Sequence, residues 1–107
     1  MIENKLIKSV FFLYAILMPV LSFAGPYDET GYITLVKSNN QGNTCYIDLG
    51  NAAGTLIQSG EWNCNSAVGQ STLSLATVAK TLGLNVRVTF EGNGAVSKPV
   101  YAIAILK

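Results

Sequence analysis

Cys45 and Cys64 are the first residues of this 107-residue sequence whose type and spacing point to chemistry. They are its only cysteines, and it contains no histidine. A metal site needs more ligands than two thiols supply. A thiol nucleophile lacks the histidine base that would activate it. In an exported chain the expected outcome is a disulfide. A second set lies in Gly60-Glu61-Trp62-Asn63-Cys64-Asn65. An indole face beside Glu61, Asn63 and Asn65 is one way to hold a sugar ring, by stacking together with amide and carboxylate hydrogen bonds. The plainer role for Trp62 is to cover the disulfide. A third set, Thr44, Tyr46 and Asp48, shares one side of an alternating segment. That side is either a binding face or an ordinary solvated one.

Catalytic arrangements are not supported. Without histidine the usual acid–base and triad constellations are missing. A serine paired with Lys80 or Lys98 has no supporting spacing. A glycosidase pair would have to come from Asp48, Glu61 and Glu91, and Asp48 and Glu91 sit on polar strand faces. Gly92-Asn93-Gly94 is a turn rather than a phosphate loop, because no lysine and helix follow it. The expectation is a non-enzymatic protein without metal or cofactor. Charge narrows the partners further. Beyond residue 24, Lys37, Lys80, Arg87, Lys98 and Lys107 balance Asp28, Glu29, Asp48, Glu61 and Glu91. With no basic stripe, nucleic acid and anionic membranes are not expected partners. The single arginine, Arg87, argues against phosphate recognition.

The elements that must position these residues follow a secretory signal. Residues 1–24 begin with Lys5 and Lys8, continue through an apolar run from Val10 to Leu21, and end in Ser22-Phe23-Ala24. This is the pattern of a cleaved signal peptide. The run is too short to span a bilayer comfortably, and Pro19 interrupts it. Residues 25–107 then form a single domain. A domain of that size is marginal unless a disulfide or oligomerisation adds stability.

Tyr32–Val36 reads as a strand, and Thr44–Leu49 as its hairpin partner with Cys45, Ile47 and Leu49 on one face. Thr55–Gln58 is a short third strand that runs irregularly to Trp62. From Ser71 to Leu82 the sequence supports a helix. Ser71 is the expected cap, Gly83 the left-handed stop, and Leu75, Val78, Ala79 and Leu82 the buried face. The β-branched residues of this segment leave a strand as the alternative. Asn85–Glu91 is the cleanest strand, with Val86, Val88 and Phe90 facing inward. Pro99–Leu106 is apolar on both faces. One face should meet the chain's own core and the other a second subunit, with Tyr101, Ile103 and Ile105 as the candidate interface. The order β-β-β-α-β-β predicts a mainly β, OB-fold-like five-stranded barrel. The alternative is a flat α+β sheet with one covering helix.

At the level of pattern, residues 30–106 resemble small exported bacterial proteins of the OB-fold type, including the binding subunits of subtilase- and pertussis-like AB toxins. The resemblance is carried by Cys45 within the second strand, by Leu75–Leu82 closed by Gly83, and by Val86-Arg87-Val88 after it. It implies a ring of copies that binds cell-surface glycans with an avidity gained from many weak sites. The expectation is therefore an exported, oligomeric glycan-binding protein, located in the periplasm or secreted. The rival is a periplasmic interaction factor, such as an inhibitor or envelope accessory protein, acting as a monomer or dimer on a protein partner.

Overall fold

The computed structural model describes residues 25–106. The expected signal peptide lies outside the described residues. Among the described residues five strands and one helix follow in the expected order: β1 (Tyr27–Asn39), β2 (Thr44–Gly50), β3 (Leu56–Asn63), α1 (Ala67–Leu82), β4 (Asn85–Phe90) and β5 (Lys98–Ile105). The strands close into a barrel in the order β1-β2-β3-β5-β4. The barrel excludes the flat-sheet alternative.

Alternation builds the core. Cys45, Ile47 and Leu49 of β2 and Val86, Val88 and Phe90 of β4 are all buried, as their spacing requires. β1 is longer than the sequence suggested because it serves two partners. Tyr27–Tyr32 pairs with β4, and Tyr32–Asn39 pairs with β2. The register shifts between Ile33 and Leu35, and a bulge of this kind bends a strand from one neighbour to the next. Closure falls on β3 and β5, which run parallel and meet at Gly60–Lys98 and Glu61–Pro99. A Cβ at Gly60 would strike Val100 and lie 2.6 Å from Phe90 Cε1, so only glycine lets the strands approach here. Gln58 secures the same seam. Its Nε2 donates to the carbonyls of Ser59 (2.9 Å) and Val96 (3.0 Å), and its Oε1 accepts from Gly94 N–H (3.0 Å). Buried but fully bonded, it holds the β4–β5 loop over β3.

The helix corrects two expectations. It begins at Ala67 rather than Ser71, and Ser66 is its cap, with Oγ accepting from Gly69 N–H at 3.0 Å. Ser71 lies within the helix, where its hydroxyl donates back to Ala67 O. The stop is where it was expected: Gly83 is left-handed (φ 65°, ψ 38°) and its N–H reaches the carbonyls of Ala79 and Lys80. The buried face differs. Gly69, Ala76 and Ala79 are buried, with Leu73 packed beside the core. Leu75, Val78 and Leu82 are 40%, 45% and 66% exposed, so of the four expected core residues only Ala79 is one. Small residues let the helix axis lie close to β1 and β5, and that close approach turns the larger apolar stripe outward.

Candidate functional site

Cys45 and Cys64 are joined, with their Cα atoms 5.7 Å apart, and the bond ties β2 to the loop between β3 and α1. Around it the start of the helix is locked onto that loop. Trp62 is 9% exposed, and its Nε1–H donates to Gly69 O at 2.9 Å. At Gly69 a Cβ would overlap Asn63 O and lie 2.7 Å from Cys64 Cα. Cys64 N–H donates to Asn43 O at 3.0 Å, which draws the β1–β2 turn to the same point. Trp62 is therefore structural. Its ring is buried and its N–H engaged, which fits the plainer of its two expected roles and leaves no stacking platform for a sugar.

The locked corner leaves a cleft of about 250 Å³ on its outer side. One wall is Ser38 and Asn39 at the end of β1 with Asn40 and Asn43 of the β1–β2 turn. The other is Cys64, Asn65, Gln70 and Leu73. Among the described residues no charged side chain lines it. Asn43 holds a left-handed backbone (φ 53°), a conformation asparagine tolerates better than most residues. Asn39 Oδ1 accepts from Gln41 N–H at 3.1 Å, which fixes the turn. Among the described residues, no internal hydrogen bond engages the side chains of Asn40, Asn43, Asn65 or Gln70. The chemistry available is reversible hydrogen bonding over a small apolar floor.

The other expected binding residues lie elsewhere. Tyr46 and Asp48 are on the outer face of the β1-β2-β3 sheet, where the cross-strand rows are Leu35–Asp48–Ser59, Lys37–Tyr46–Glu61 and Asn39–Thr44–Asn63. Asp48 accepts from Ser59 Oγ at 2.7 Å, and Lys37 Nζ stands 5.4 Å from the Tyr46 ring centroid. Asn63 sits at the end of this face and accepts from Asn65 N–H at 2.8 Å. The structure thus divides the expected set: Asn65 enters the cleft, while Tyr46, Asp48 and Asn63 belong to the sheet face. Ser38, Asn39, Asn40, Asn43 and Gln70 were missed. The only signal for them was the density of amides in Ser38–Asn43 and Asn63–Gln70, which also marks turns.

On β5 the expected interface is divided as well. A register shift between Thr89 and Phe90 interrupts the alternation. Ile103 and Ile105 pack against the chain's own core, as Val100 does, and Tyr101 is exposed. Tyr101 Oη donates to Glu91 Oε1 at 3.1 Å. Partial desolvation, that hydrogen bond and the Glu91 charge hold its phenol above the ordinary 10.0. Among the described residues no helix is long and apolar enough to cross a membrane. No protein family matches the chain, and no characterised protein or solved structure is significantly similar to it.

Proposed function

We propose that the protein is an exported, non-enzymatic binding protein that self-assembles and recognises cell-surface glycans, in the manner of the toxin binding subunits its sequence resembles. The observation that carries the self-assembly in this reading is the outer face of α1. Val68, Ser71, Leu75, Val78 and Leu82 follow one another at alternating steps of three and four residues, and all are exposed. That is the spacing of a helix–helix seam, and it extends over ~20 Å at the α-helical rise per residue.

A second copy is the occupant that fits. It presents the same seam, and Lys80 is the only charged residue of α1, so two such faces meet without a row of like charges. The surface continues onto β5, which α1 contacts. Beyond Pro99 no strand pairs with the second edge of β5 among the described residues. Leu106 N–H donates to Asn85 O at 2.8 Å, which brings the end of β5 close to the end of α1. Burying the exposed parts of Val68, Leu75, Val78 and Leu82 is worth several kcal/mol at ~25 cal/mol per Å². That is the order of contribution needed to offset part of the cost of association.

Sedimentation at micromolar concentration tests the reading. The expected species is a multiple of the protomer. A clean monomer would refute self-assembly and favour the periplasmic interaction factor.

A further inference from the structure

We infer that the cleft beside the Cys45–Cys64 bond is the ligand site and that it accepts one ring of a neutral sugar. This rests on the binding-protein reading above and adds to it the place of the site and the class of glycan. Of the cleft residues the sequence singles out only Asn65 as a binding candidate, and the resemblance none; the cleft itself brings the rest together.

Three observations support it. The first is donor–acceptor character. Asn40, Asn43, Asn65 and Gln70 each bring two N–H donors and a carbonyl acceptor, and Ser38 adds a hydroxyl. Neighbouring sugar hydroxyls donate and accept in the same way, so carboxamides match them in pairs. The second is neutrality. Among the described residues no lysine or arginine lines the cleft to pair with a carboxylate, sulfate or phosphate, and no acid lines it to pair with an amine. An acidic sugar would lose the hydration of its charge with nothing to replace it. The third is shape. Leu73 and the Cys64 side chain give an apolar patch for the C–H face of a ring. The volume of about 250 Å³ suits a single ring rather than a long chain.

A peptide ligand fits less well. Strand addition needs a free sheet edge, and at this end β2 is already paired on both sides, Thr44 with Asn39 and with Asn63. The site is also prepared before a ligand arrives. The disulfide, the Trp62–Gly69 hydrogen bond and the Cys64–Asn43 hydrogen bond fix both walls relative to one another. A fixed site spares the ligand the cost of ordering it.

The test uses protein expressed from the full chain. It is applied to an immobilised panel of neutral oligosaccharides of hexoses and N-acetylhexosamines, and to the same panel capped with sialic acid. Thermal melts confirm that every variant is folded. Wild-type protein should retain neutral members. Asn65→Ala and Gln70→Ala should each weaken binding by about tenfold, the equivalent of one or two lost hydrogen bonds. Tyr46→Ala on the sheet face and Arg87→Ala on β4, neither of which lines the cleft, should bind as wild type does. Full binding by both cleft variants, with loss in Tyr46→Ala, would overturn the cleft assignment and leave the glycan-binding reading standing. A preference for sialylated members would overturn the neutral class. A wild-type protein that retains no member of either panel would remove the glycan-binding reading and this inference together.

Discussion

Replacing Gly69 by alanine sets two effects of opposite sign against each other. In a helix, alanine is favoured over glycine by up to ~1 kcal/mol, so on propensity alone the change should stabilise. The packing opposes it. The new methyl would overlap Asn63 O, lie 2.7 Å from Cys64 Cα and lie 3.0 Å from Ser66 Oγ. The two closest atoms are backbone, and the disulfide at Cys64 restrains them further. Overpacking against a rigid neighbour costs about 1–3 kcal/mol. The helix can relieve it only by lifting, and lifting breaks the 2.9 Å bond from Trp62 Nε1 to Gly69 O, which is worth ~1 kcal/mol. The net expectation is a loss of about 2 kcal/mol, seen as a fall in melting temperature of roughly 8–16 °C for a domain of this size. Thermal melts by far-ultraviolet circular dichroism on the oxidised protein measure it. Ser74→Ala, at an exposed position of the same helix, is the reference, and it should gain a few tenths of a kcal/mol. If Gly69→Ala melted at or above the wild-type temperature, the first turn of α1 would not be seated on the 63–66 loop, and the account of how the cleft is fixed would fail with it.

Removing the disulfide by Cys45→Ala should cost about 3 kcal/mol on the chain-entropy account, measured by urea denaturation, and the denatured but unreduced wild type should show no free thiol. Val78→Asp should leave the fold intact and lower the sedimenting mass, because Val78 lies on the outer seam. Ala76→Asp should abolish folding, because its charge would enter the core unpaired. In an ultraviolet titration Tyr101 should ionise above 10.0, and Glu91→Gln should lower that transition by removing the negative charge beside the phenol. The sign for stability follows from the raised folded value: the contribution is complete below about pH 10 and is lost as pH rises through the folded pKa.

The legible parts of the sequence were those in which one physical rule acted alone. Val86-Arg87-Val88-Thr89-Phe90 has polar residues between apolar ones and a core on only one side, so its faces followed directly. Gly83 was readable because a left-handed stop strongly favours glycine. Where two rules competed, the larger signal misled. Leu75, Val78 and Leu82 form the more hydrophobic stripe of α1, yet the helix docks through Gly69, Ala76 and Ala79, since close approach rewards small side chains. Gly69 also hid the helix start. Between Asn63 and Gln70 it looks like part of a loop, and only the three-dimensional contact explains why a glycine stands in a first turn. The division of the binding candidates had the same origin. Trp62 and Asn65 are three residues apart in sequence, but the end of β3 at Asn63 sends one into the core and the other to the surface. Asn65 gained partners in the β1–β2 turn that spacing along the chain could not indicate.

The double pairing of β1 also has a kinetic consequence. Its second half finds β2 across a short turn, and β2 in turn finds β3, so these contacts are local and quick to form. Its first half waits for β4, and Tyr27 has no barrel partner until Phe90 has been made. During synthesis from the N-terminus, residues 27–31 therefore stay single-stranded while the rest of β1 has its neighbour at hand. Closing the ring joins residues far apart in sequence, which is the slow step for chains of high contact order. Until that step, the unpaired half of β1 is the exposed edge on which another chain could add, and rapid delivery of β4 is the protection against aggregation.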